Sequence, residues 1–227
     1  MRAVRLKHPY VAVMKDGSIS YGGNQGWFQS NTIKKYGCGV VAGSDLLLYL
    51  SLHKEYCRGR EFKKEEDDNG IWGEEKYQEL IKTMNRRYFP VIPGFGMPGW
   101  LLAGGMNYYF RRSRIPLKVS FGVLRRNIWN RTAAMLAHDI PVILAIGPNF
   151  SIFRRKYKLN FYVRKGEEYT CACQTAAHFV TVTAMEGKYL KISSWGKEYY
   201  IDMQEYMDYG KKHSSFLVCN IFYIRKR

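Results

Sequence analysis

The residues best suited to covalent chemistry are a cysteine and a histidine far apart in the chain. Cys38 stands between two glycines in KKYGCGVVAG, where a long apolar run begins. A cysteine in the first turn of a helix sits at the positive end of the helix dipole, which favours the thiolate, the nucleophilic form. Glycine on either side would leave room for a substrate backbone beside the sulfur. A base has to come from elsewhere, and His178 opens the alternating run HFVTVTAME. A thiol and an imidazole within hydrogen-bond reach make an acyl-transfer pair. One strand further on, ISSWG (192–196) offers a polar side chain to orient the ring and a tryptophan to shield that hydrogen bond from water.

These residues need elements to hold them. The apolar run after Gly37 predicts a largely buried helix over 38–56, with Cys38 in its first turn. Tyr77, Leu80, Ile81 and Met84 fall at helical spacing and predict a helix over 74–88, ended by the proline-rich 90–98 segment. Further helices are expected over 101–110 and 124–138, and a short one after Asp202, which reads as an N-cap for 203–209. IPVILAIG (140–147) reads as a buried strand, followed by strands at 161–165, 178–186, 189–195, 198–202 and 215–224. Val180, Val182 and Ala184 would share the face of His178, and Met185 to Lys188 a hairpin turn. The expectation is an α+β domain over 1–227, a helical half (about 23–140) packed on an antiparallel sheet half (about 141–227).

With 227 residues, 46% hydrophobic and 15% aromatic, the chain can bury a proper core and does not read as disordered. It has no apolar stretch of about eighteen residues, and its charged, proline-broken start does not read as a signal peptide, so a cytoplasmic location is expected. Five cysteines without regular spacing predict at least one free thiol. Cys57 and Cys219 read as structural, Cys171 and Cys173 as an oxidation-sensitive pair on a loop or strand end. Cys171, Cys173 and His178 lack a fourth ligand for zinc, so neither metal nor cofactor is expected. His138 reads as a favourable charge at a helix C-terminus.

The formal charge is +17. From Leu80 to Gly166 the only acid is Asp139, while acids cluster between Glu55 and Glu79. A basic middle that includes Arg111, Arg112, Arg125, Arg126, Arg154, Arg155 and Lys156 would steer acidic partners toward the protein, or simply form a solvated face. YYFRRSR (108–114) mixes aromatic and basic residues as a nucleic-acid surface would, but an amphipathic helix end has the same pattern. Nucleic acid is the less expected partner.

GNQGWF (23–28), YGCG (36–39), IPVIL (140–144), HFVTVTAMEG (178–187) and SSWG (193–196), in that order, resemble the papain-like cysteine peptidase superfamily. Within it they are most similar to the bacterial branch of peptidases that process double-glycine leader peptides. The resemblance spans roughly residues 23–205 and implies a papain-like fold and a hydrolase or acyl transferase that acts on peptide bonds through an acyl-enzyme. It implies Cys38 as nucleophile and His178 as base and later acid. Gln25 would be the oxyanion-hole side chain, with Gln29 as its rival. The superfamily's imidazole-orienting Asn or Asp aligns with Ser193, a weaker partner, with Asp202 as the alternative. That departure implies reduced activity, or a pseudoenzyme that binds a peptide or acidic partner through its basic surface.

Overall fold

The computed structural model describes residues 3–62, 70–149 and 157–227, so Arg154, Arg155 and Lys156 and the acids of 65–68 lie outside the described residues. Strands β1 (Val4–Arg5), β2 (Ala12–Lys15) and β3 (Ser18–Ile19) open the chain. Two helices then meet end to end at Gly37: α1 (Asn31–Tyr36) and α2 (Cys38–His53). Gly37 is required there because a Cβ would overlap the Ile33 carbonyl. All of α2 from Gly39 to Ser51 is buried, the expected fate of a helix apolar around its whole circumference. It is the central rod of the molecule.

Strand β4 (Ile71–Gly73) pairs parallel with β2 and leads into α3 (Glu74–Arg87), which buries Tyr77, Leu80, Ile81 and Met84 as their spacing predicts. Helix α4 (Gly99–Arg112) follows, then β5 (Leu117–Phe121) and α5 (Ile128–Ala137). The expected helix from 124 therefore begins four residues later, after a single 3-10 turn at Arg125–Asn127.

The remainder forms most of a seven-stranded sheet: β6 (Val142–Ile146), β7 (Leu159–Lys165), β8 (Glu168–Thr175), β9 (His178–Glu186), β10 (Tyr189–Ser194) and β11 (Lys197–Asp202). Its order is β1-β9-β10-β11-β7-β8, and β6 lies antiparallel along the first half of β9. Helix α6 (Met203–Lys212) follows with Asp202 as its N-cap, accepting from the Gln204 and Glu205 N–H groups. The last strand, β12 (Phe222–Lys226), pairs with β5 away from the main sheet. Thus 215–224 is not one strand: 215–219 turns, held by N–H groups of Val218 and Cys219 on the Ser215 carbonyl, and the strand starts at Phe222.

The protein is a mixed α+β structure in which antiparallel pairing predominates. Its division at residue 140 is less clean than expected, because β1 to β5 precede it and α6 follows it. One connected apolar core joins both parts, with α2 packed against β6 and β9. Among the described residues no helix is long and apolar enough to cross a membrane.

Candidate active site

Cys38 is the first residue of α2, and its helix runs beneath β9, the strand that His178 opens. Gly23, Gln25, Cys38, Asp45, His178 and Ser194 line one cleft. The glycines around Cys38 do not open space for a substrate. A Cβ on Gly39 would stand 3.2 Å from the Phe179 ring and 3.3 Å from Met97 Sδ, so the missing side chain of Gly39 makes room for the protein's own packing.

His178 is buried, and its Nε2 lies 2.8 Å from Ser194 Oγ. The Trp195 ring stacks on the imidazole at 4.5 Å and 21°, and Phe161 packs against Trp195 at 5.6 Å. The bond to Ser194 occupies Nε2 and leaves Nδ1 without a hydrogen bond among the described residues. Two non-glycine residues in left-handed backbone flank this group, Ala177 (φ 53) before the histidine and Trp195 (φ 50) after the serine. Such conformations cost about 1 kcal/mol or more and persist only where the surroundings impose them. Trp195 and Gly196 (φ 72) together form the tight hairpin tip between β10 and β11.

The orienting hydroxyl is thus Ser194 and not Ser193. Ser193 pairs directly with Thr181 of β9, and paired residues point to the same side of a sheet. Thr181 is three residues from His178 along an alternating strand, so Ser193 projects away from the histidine's face and Ser194 toward it. The Ser193 hydroxyl instead donates to the Tyr21 carbonyl at 2.7 Å. The same pairing skips Thr183 at a bulge between Lys191 and Ile192, so the strict alternation that placed Ala184 on the face of His178 is interrupted. Asp202 is occupied as the N-cap of α6 and by Lys188 at 2.9 Å.

Burial dominates the electrostatics. It raises the Cys38 thiol, although backbone N–H groups of Phe179, Gly39 and Cys38 reach the sulfur and pull the other way. Cys38 as a residue keeps partial contact with solvent. Burial lowers His178 from 6.5 to about 3. At rest the pair is neutral, not the preformed thiolate and imidazolium that a helix N-terminus alone suggests. The Phe179 N–H at the sulfur places Cys38 against the residue next to His178.

Gln25 begins a 3-10 turn (Gln25–Trp27) capped by Asn24, whose side-chain oxygen accepts from the Gly26 N–H at 2.7 Å. Its Nε2 donates to the Lys34 carbonyl at 3.0 Å, which orients the carboxamide and leaves that nitrogen's second N–H. Gln25 lines the cleft; Gln29 is exposed and does not. The sequence reading missed Asp45, seven residues along α2 from Cys38 and buried. It accepts from Gly23 N–H at 2.9 Å and from Tyr77 Oη–H at 2.6 Å, and burial raises its carboxyl to about 6. An acid inside an otherwise apolar helix was the available signal.

Cys57 and Cys219 are buried, and the Cys219 sulfur accepts from the Gly147 N–H at 3.2 Å. Cys171 and Cys173 lie within β8 itself, Cys171 exposed with its sulfur 3.7 Å from Asn160 Oδ1. No cluster of three or more His, Cys, Asp or Glu suited to a metal occurs among the described residues. His138 closes α5, its Nδ1 2.8 Å from the Ala134 carbonyl. No protein-family model matches this chain, and comparison with curated proteins finds no match either.

Proposed function

We propose that the chain is a papain-like cysteine acyl-transfer enzyme that acts on peptide bonds, with Cys38 as nucleophile and His178 as base. The observation that carries this reading is the His178–Ser194 hydrogen bond under the Trp195 ring, beside a sulfur reached by the Phe179 N–H. In such a site Nδ1 takes the thiol proton as the sulfur attacks the carbonyl carbon. Starting from a neutral pair, that transfer accompanies attack. The tetrahedral oxyanion would meet the Cys38 backbone N–H and the free N–H of Gln25. The amine leaves with the proton from His178, and water then releases the acyl group.

The test uses p-nitrophenyl acetate, a small ester that any activated thiol of this kind should accept. Wild-type protein should release p-nitrophenolate in a burst of one equivalent and gain an acetyl group on Cys38 by peptide mass spectrometry. Cys38→Ala should abolish the burst and His178→Ala should slow it by about 10²-fold or more. Acetylation spread over all accessible thiols would refute the reading.

A second reading, a pseudoenzyme that binds an acidic partner, is favoured by one feature. On the β5–β12 ribbon Lys118 and Arg225 stand directly opposite each other, both exposed, and no carboxylate of the described residues forms an ion pair with either. Salt-sensitive binding of polyglutamate that Cys38→Ala leaves unchanged, with no acetylation of Cys38, would support it.

A further inference from the structure

The segment from Tyr21 to Gly23, which leads into the turn carrying Gln25, is gripped from several directions at once. From α2, Asp45 accepts from the Gly23 N–H. From α3, the Tyr77 hydroxyl closes on the other Asp45 oxygen, while its ring meets Trp27, the last residue of the Gln25 turn, edge-on at 6.0 Å. From β10, Ser193 donates to the Tyr21 carbonyl. From the hairpin tip, Gly196 accepts from the Tyr21 N–H and donates to the Gly23 carbonyl, both at 2.9 Å.

The fit leaves no slack. A Cβ on Gly22, which has φ +78, would overlap Ser193 Oγ and come within 2.9 Å of Asp45 Oδ2, and one on Gly23 would overlap the Tyr77 hydroxyl. Tyr77 and Asp45 are both fully buried. An acid placed in the middle of the most apolar helix of the protein costs stability unless something requires it there. Its two partners say what: one is the backbone that precedes Gln25, the other a phenol that packs on the end of the same turn.

From this geometry we infer that Asp45, locked by Tyr77, is the positioning residue of the oxyanion hole: it sets where Gln25 stands relative to Cys38. The inference rests on the acyl-transfer reading above. It gives Ser193 a place as well. Two consecutive serines of β10 hold the two halves of the site, Ser194 the imidazole and Ser193 the Gln25 segment, and the Trp195–Gly196 tip joins them. Asp45 touches no reacting atom; it acts through Gly23.

Two reactions of Cys38 separate this role from a general effect on the thiol. With p-nitrophenyl acetate the sulfur bonds to the carbonyl carbon, the thiol proton passes to His178, and the oxyanion intermediate collapses with cleavage of the acyl carbon–oxygen bond, so that p-nitrophenolate leaves and the acetyl group stays on the sulfur. With iodoacetamide the sulfur displaces iodide in one step and no oxyanion forms. Asp45→Ala should slow acetylation by about 10²-fold, the size expected from losing one oxyanion donor, and leave alkylation of Cys38 within about twofold. Gln25→Ala should give the same split. Asp45→Asn should restore most of the acetylation rate, since its amide oxygen can accept from Gly23 while its NH₂ donates to Tyr77.

Should Asp45→Ala fail to fold, Tyr77→Phe carries the test: it keeps the Gly23 bond, frees one Asp45 oxygen, and should give a smaller loss with the same split. Equal slowing of both reactions, or unchanged acetylation in Asp45→Ala and Tyr77→Phe, overturns the inference while the acyl-transfer reading stands. A wild-type protein whose Cys38 is alkylated but never acetylated refutes that reading and takes the inference with it.

Discussion

Two histidines in this molecule sit in opposite surroundings, and the contrast separates a polar centre held by a carboxylate from the one proposed to be reactive. His8 is half exposed, with its Nδ1 2.7 Å from Asp139, a buried carboxylate that also accepts from the Tyr49 hydroxyl at 2.6 Å and the Lys7 N–H at 2.8 Å. His53 stacks on the His8 ring at 4.5 Å and 7°. Burial works to raise Asp139, and the hydrogen bonds from Tyr49, Lys7 and His8 outweigh it, so the carboxyl lies below its ordinary value. His178 has the reverse: among the described residues no carboxylate partner, one serine, a stacked indole and a buried ring. The histidine with the better charged partner has no nucleophile beside it, and the one beside a cysteine is kept neutral. An imidazole that must accept a proton during a reaction is served by a neutral resting state; one that staples an N-terminal segment to the core is served by a carboxylate.

The largest effect that would sharpen this contrast is on stability against pH. His178 titrates at 6.5 when unfolded and at about 3 when folded, so below 6.5 the unfolded chain binds more protons and folding weakens as pH falls. The full loss between pH 6.5 and 3 amounts to about 5 kcal/mol. His178→Phe should remove that slope, and urea titrations of both proteins from pH 7 to 4 measure it. If the stability difference between them does not change with pH, the neutral, buried state assigned to His178 is wrong.

Next in size, Asp139→Ala should cost about 3 kcal/mol, because it leaves Tyr49, the Lys7 N–H and His8 without their acceptor. The ionised Asp139 contributes above the ordinary carboxylate range and loses that contribution as pH falls through its depressed folded value, the same direction as His178 but at lower pH. Acetylation of Cys38 per folded molecule should be unchanged. A selective loss of acetylation would break the division between the two centres.

The smallest effect is at the serines. Ser194→Ala removes the hydrogen-bond partner of Nε2 and should slow acetylation roughly tenfold, equivalent to about 1.4 kcal/mol, the size of one hydrogen bond. Nitrogen-15 NMR of the imidazole should then show a changed tautomer balance. Ser193→Ala should leave the imidazole signals untouched, and a shift there instead would return the orienting role to Ser193.

Local pattern made much of this legible. The apolar run after Gly37 is long enough to be only a buried helix, and β9 begins and ends where its alternation does. Asp202 was readable as an N-cap, because a short acid before a helical run has a local partner. The strands β1 to β5 and β8 were not readable. They are short, or, like β8, mostly exposed, and their only signal is the neighbour they pair with. The segment 215–219 is apolar enough for a strand, yet its N–H groups are taken up by a turn.

What the sequence determined by itself is the inventory and its order: a cysteine at the head of a buried helix, a histidine at the head of an alternating strand, and a serine pair before a tryptophan and a glycine. Those are consequences of local periodicity and hold whatever lies across the sheet. Which serine faces the histidine, what fills the space beside Gly39, and why an aspartate stands inside α2 were decided only by tertiary structure. Register between β9 and β10 slips by one residue at Thr183, and the bond from Asp45 to Gly23 joins residues 22 positions apart. A one-residue change of register reverses the face of every side chain beyond it, and no periodicity within a single strand records where its neighbour begins.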